Sequence, residues 1–149
     1  MKKVEGNPTL GPVHFSVDVR PYRFTDLDRL AEIYTASIHS LASPYYSPDQ
    51  ITAWAPLSHD AARWRERLAP LLTVVAELDG VLAGFASYTH SGYLDLLFTH
   101  PSFARRGVAS RLYQHVEATF IVDTVPSVTA HVSLAARAFF DHHGFQLDA

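Results

Sequence analysis

Cysteine is missing altogether from this chain of 149 residues. Disulfides, thiolate metal sites and a cysteine nucleophile are therefore excluded. No apolar run approaches the roughly 20 residues needed to cross a bilayer, and the opening stretch MKKVEGNPTLGPVHF has no apolar signal core. Neither charge is in large surplus, since 12 Lys and Arg stand against 15 Asp and Glu for a formal net charge of −3. A chain so balanced has no overall basic footprint for nucleic acid. Repeats, low-complexity tracts and dividing linkers are missing too. The expectation is a soluble, cytoplasmic protein without membrane or nucleic-acid partners, made of one domain over residues 13–149 behind a loose leader over residues 1–12.

What is present is a clear change of period along the chain. VHFSVDVR alternates Val13, Phe15, Val17 and Val19 against His14, Ser16, Asp18 and Arg20, which predicts a half-buried strand. From Thr25 the apolar residues Leu27, Leu30, Tyr34, Ile38 and Leu41 fall at helical spacing, with Thr25 and Asp28 placed as a capping box. SPDQITAWAP starts a second helix, with Ser47 as N-cap, Pro48 in the first turn, Gln50 reaching back and Pro56 as terminator. Ser58 is expected to cap a short third helix that Pro70 closes. LLTVVAEL and VLAGFASYT flank Asp79-Gly80, a strong hairpin signal. YLDLLFT follows Ser91-Gly92 as a nearly all-apolar central strand. Val108, Leu112, Val116 and Phe120 then form one helical stripe, with Arg111, Gln114 and Glu117 off it. SVTAHV predicts a further strand, and SLAARAFFDHHG a helix from Ser133 to Gly144. The fold class is α/β or α+β around one mixed sheet.

The junction between YLDLLFT and the following helix holds Arg105, Arg106 and Gly107. A helix start carries unpaired N–H groups and the positive end of its dipole, so two cations there are locally unfavourable unless an anion binds. Glycine lets the backbone approach phosphate oxygens closely. Alone, an Arg-Arg-Gly triplet reads more readily as solvated surface than as an anion cradle.

The surrounding motifs decide between these readings. LLFTHPSFARRGVAS resembles the acetyl-CoA motif of the GCN5-related N-acetyltransferases, Q/R-x-x-G-x-G/A after a strand ending in His-Pro. Gly107 and Ala109 match its two small positions, His100-Pro101 matches the strand end, and Ala104 departs at the first. SLAARAFFDHHGF, from Ser133 through Ala136, Phe139 and Phe140 to Gly144-Phe145, is similar to the family's second signature. The resemblance runs over nearly the whole chain from Val13. It implies a mostly antiparallel mixed sheet flanked by helices and splayed at the central strand, and acetyl-CoA as acyl donor to an amine of a small molecule or peptide. It also implies no metal, and the scattered histidines suggest none.

The resemblance further implies site residues. The backbone of Leu97, Phe98 and Thr99 is expected to bind the pantetheine arm, and that of Arg105, Arg106, Gly107, Val108, Ala109 and Ser110 the pyrophosphate, with Ser133 and Phe140 contributing from the second signature. For the general base, Asp95 interrupts an apolar strand and is either a partnered structural carboxylate or a catalytic one. His131 competes with it, or is a satisfied sheet-surface histidine. Tyr45, Tyr46 and Trp54 either cover the acceptor or pack beneath a loop. Two departures bear on the reading. Phe140 stands where many members carry a Tyr acid, and the family's two final strands have little room after Phe145. The expected remedy for an open sheet edge is a partner chain, making a homodimer, or the leader folded back. The alternative function is a non-catalytic acyl-CoA-binding domain, and a structural or adaptor domain with an empty cradle is a third class.

Overall fold

The Asp79-Gly80 turn forms as its sequence predicts. Both residues have positive φ, 53° and 79°, the left-handed pair that a type I′ turn requires. On either side of it Leu72–Leu78 (β2) and Val81–Tyr88 (β3) pair antiparallel. The computed structural model describes residues 16–41, 43–56, 59–130, 142 and 144, and extends this hairpin into a five-stranded sheet. Val17–Pro21 (β1) adds antiparallel to β2, and Tyr93–Thr99 (β4) antiparallel to β3. Thr129–Ala130 (β5) pairs parallel to β4, giving the order β1-β2-β3-β4-β5.

Among the described residues, four helices cover the sheet. Leu27–Leu41 (α1), Pro48–Trp54 (α2) and Ala61–Leu68 (α3) lie between β1 and β2 in the chain, and Val108–Val122 (α4) follows β4. The stripe Val108, Leu112, Val116 and Phe120 is buried on one face of the sheet against Val74, Ala76 and Leu94. On the opposite face Leu27, Leu30 and Ile33 of α1 and Leu68 of α3 pack against Val75, Phe85 and Leu96. Gly84 sets how closely α4 approaches, because a Cβ there would lie 2.8 Å from the Phe98 carbonyl oxygen and from Val108 Cγ1.

Several local expectations change. The first helix is entered through a 3-10 turn at Phe24–Asp26, and the Arg23 amide donates to Asp26 Oδ2 at 2.8 Å, so Asp26 rather than Asp28 closes the start. Asp26 is held there by two Arg20 hydrogen bonds of 2.9 Å. Asp60 caps α3 by accepting from the Ala62 and Arg63 amides. Ser58, expected in that role, lies outside the described residues, and the helix ends before Pro70. Glu117, expected off the apolar stripe, is buried and accepts from the Tyr113 hydroxyl at 3.2 Å, the partner that makes its burial tolerable. The Ser47 cap forms as read, with Gln50 reaching back to the Ser47 amide at 2.8 Å.

Candidate active site

Asp95 owes its position to an irregularity in β4. Ser87 is opposite Leu96 and Tyr88 opposite Leu94, so one step along β3 spans two along β4 and Asp95 is the extra residue of a bulge. The bulge switches faces. Leu94 joins the α4 side of the core, and Leu96 the α1 and α3 side. Asp95 meets α3, where Arg67 Nη2 donates to its Oδ2 at 3.1 Å. The pair sits at the surface, with the Arg67 side chain about half exposed and that of Asp95 one-fifth exposed.

Beside it a cavity of about 320 Å³ opens between the helices and β4. Tyr34, Trp54, Trp64 and Leu96 supply apolar wall, Arg63 and Arg67 supply positive charge, and Asp60 and His59 complete the polar lining. Tyr34 fixes this wall, with its ring edge-on to Trp64 at 5.0 Å and to Phe98 at 4.9 Å. Burial pushes its phenol pKa up, partly offset by Arg67. Of the three aromatics singled out in the sequence, Trp54 lines the cavity, Tyr46 stands edge-on to Trp54 at 5.3 Å, and Tyr45 is 55% exposed outside the lining. Arg63, Arg67, Trp64 and Tyr34 were missed. Their signal was Arg63 and Arg67 four residues apart around Trp64, which on a short helix reads as a solvated face.

Leu97, Phe98 and Thr99 complete β4 beyond the bulge, opposite Ala86, Phe85 and Gly84. Among the described residues, pairing of β4 with β5 is confined to Tyr93–Thr129 and Leu94–Ala130. Thr99 Oγ1 is buried with no hydrogen-bond partner among them, a vacant polar position at the end of this strand. The chain then turns through His100, whose Nδ1 accepts from the Ser102 amide at 3.1 Å.

Arg105 and Gly107 both have positive φ, 63° and 81°. Left-handed residues in a turn curl successive N–H groups to one side, the geometry of an anion nest. Gly107 is the N-cap of α4, and a Cβ built on it meets nothing within 4 Å among the described residues. The nest and the open start of a 15-residue helix therefore share one approach. Arg106 lies 5.8 Å from the Phe103 ring centroid, and Arg105 is exposed. These features suit a diphosphate ester. His131, Ser133 and Phe140 lie outside the described residues, and Gly144, with φ of 84°, has the left-handed backbone expected of a helix stop.

Comparison with known proteins decides the family. The acetyltransferase (GNAT) domain family matches residues 42–148. The chain belongs to the GCN5-related N-acetyltransferases. A curated relative, the uncharacterised N-acetyltransferase YafP of Escherichia coli K12, is 35% identical over 131 residues, covering 88% of this chain and 82% of its own. The crystal structure of a GCN5-related N-acetyltransferase from Rhodopseudomonas palustris superposes with a TM-score of 0.83 at 34% identity, over 90% of this chain and 84% of that one. The fold is also that of a PaiA N-acetyltransferase from Thermoplasma acidophilum in complex with coenzyme A, with a TM-score of 0.76, 19% identity and coverage of 89% and 91%. As a GNAT protein the chain is an N-acetyltransferase with acetyl-CoA as donor. Among the described residues no helix is long and apolar enough to cross a membrane, and no group of His, Cys, Asp or Glu is arranged to hold a metal ion.

Proposed function

We propose that an amine bound in the cavity beside Asp95 attacks acetyl-CoA whose pantetheine arm lies along Leu97, Phe98 and Thr99 and whose pyrophosphate rests on residues 105–110. The observation that carries this reading is the open, left-handed Gly107 at the start of α4, reached from the end of β4 through the short turn of residues 100–106. The amine lone pair adds to the thioester carbonyl carbon, the C–S bond breaks, and its electron pair leaves on the CoA thiolate. The surplus amine proton passes through water to Asp95, whose Oδ1 has no partner among the described residues while Arg67 holds Oδ2. Water then protonates the thiolate. The strand backbone orients the thioester, and the helix start and arginines hold the diphosphate charge. The working unit is proposed as one domain over residues 13–149 in the cytoplasm, with a homodimer covering the sheet edge.

Two measurements test this. Acetyl-CoA at about 100 times its dissociation constant should add roughly 2.7 kcal/mol to native stability and raise Tm, and suitable amines should release free CoA thiol from it. A melting curve unchanged at millimolar acetyl-CoA would end the proposal. Binding without thiol release from any of a broad panel of amines would leave an acyl-CoA-binding domain instead.

A further inference from the structure

Arg63 and Arg67 stand four residues apart on α3, on one helical face, and both line the cavity. Arg67 is engaged by Asp95. Arg63 has no ion pair or side-chain hydrogen bond among the described residues. Asp60 Oδ1 receives the Ala62 and Arg63 amides, and Asp28 Oδ1 faces His59 Nε2 at 3.1 Å. The Arg63 guanidinium therefore faces the cavity without a direct ion pair, sharing its end of the lining with His59 and with Asp60, whose Oδ1 is turned to the helix amides. It lies four residues, about 6 Å along the helix axis, from the Arg67 that marks Asp95. Between these ends the wall is Tyr34, Trp54, Trp64 and Leu96.

We infer that the acceptor is an amine with an apolar or aromatic body and a carboxylate at its far end, and that Arg63 receives this carboxylate. The inference rests on the reading that the cavity takes the acceptor. A guanidinium fork matches a carboxylate in two parallel hydrogen bonds, and the aromatic walls take a ring but contribute no anion-binding group. At about 320 Å³ the cavity suits a one-ring molecule. The amine end then falls beside Asp95 and Leu96, adjacent to the strand proposed to carry the thioester.

The test uses matched probes and two readouts. In thiol release, 4-(aminomethyl)benzoate should show at least about a tenfold lower KM than 4-methylbenzylamine, which lacks the anion. Arg63→Glu should remove that preference, and Arg63→Lys should restore part of it. Binding is read separately from activity, because Trp54 and Trp64 are the chain's two tryptophans and both line the cavity. Saturable change in their fluorescence with 4-methylbenzoate, at least about tenfold weaker with 4-methylbenzyl alcohol and lost in Arg63→Glu, is the expected result. Equal KM or equal fluorescence titration for the charged and neutral probes, or an Arg63→Glu protein that still prefers the acid, overturns the inference. Failure of thiol release while 4-methylbenzoate still binds through Arg63 would overturn the transferase reading instead, leaving the carboxylate site in place.

Discussion

Asp95 and Arg67 form an exposed pair, and such pairs contribute about 0–1 kcal/mol to stability. The small value separates the two roles open to Asp95. If it served only the fold, Asp95→Asn would cost little stability and no activity. As a proton relay it is worth about 10² to 10⁴ in rate. We expect Asp95→Asn to lower kcat at neutral pH by that factor, with acetyl-CoA affinity and Tm nearly unchanged, as single-turnover and thermal-shift measurements would show. A second residue-scale prediction concerns Phe140, whose ring cannot donate a proton. A thiol of pKa about 8.5 is already a tolerable leaving group near neutrality. Phe140→Tyr should therefore change kcat by less than about tenfold, about 1.4 kcal/mol of barrier. A gain of several orders of magnitude from an inert parent would favour the cofactor-binding reading.

At the scale of elements, the start of α4 joins local conformation to the proposed binding of the cofactor. Gly107 sits at a φ of 81°, where an L-residue costs roughly 1–2 kcal/mol, yet a Cβ there meets nothing among the described residues. Gly107→Glu should consequently fold with a modest loss of Tm while placing a carboxylate where phosphate is proposed to bind. The acetyl-CoA-induced rise in Tm should vanish, and a variant that keeps it would move the cradle elsewhere. The elements most legible in the sequence were those fixed by local chemistry. The Asp79-Gly80 turn, the Ser47-Gln50 cap and the α4 stripe each need only their own neighbours. What escaped depended on side-chain and strand partners, near or far in the chain, that the hydrophobic pattern does not display. Asp26 closes the first turn because Arg20 reaches it, Glu117 is buried because Tyr113 donates to it, and the β4 bulge exists only through its register with β3. The cavity escaped for the same reason. Its guanidinium groups and aromatics come from α1, α2 and α3, whose meeting is a property of the sheet beneath them.

For the whole molecule, the shifted groups define a pH window of stability. His100 and His115 are held below the ordinary 6.5, chiefly by burial. Asp26 is held below 3.8, chiefly by its hydrogen bond from Arg20. Each of these groups binds protons less readily folded than unfolded. Their contributions are therefore present above the unfolded value and lost as pH falls, first below about 6.5 for the histidines and then below about 3.8 for Asp26. The tyrosines act with the opposite sign. Burial raises Tyr34 above its ordinary 10.0, and burial with Glu117 alongside raises Tyr113 further. These two bind protons more tightly folded, so their contribution is complete below about pH 10 and is lost as pH rises beyond it. Urea midpoints measured across pH should accordingly show a plateau between about 6.5 and 10, with a decline on each side. Asp26→Asn should lower the plateau and flatten the decline below pH 3.8, because the variant has no carboxylate at residue 26 to protonate. A midpoint that instead rises between pH 6 and 4 would mean that the histidines gain partners on protonation, and would overturn this assignment of the acid limb.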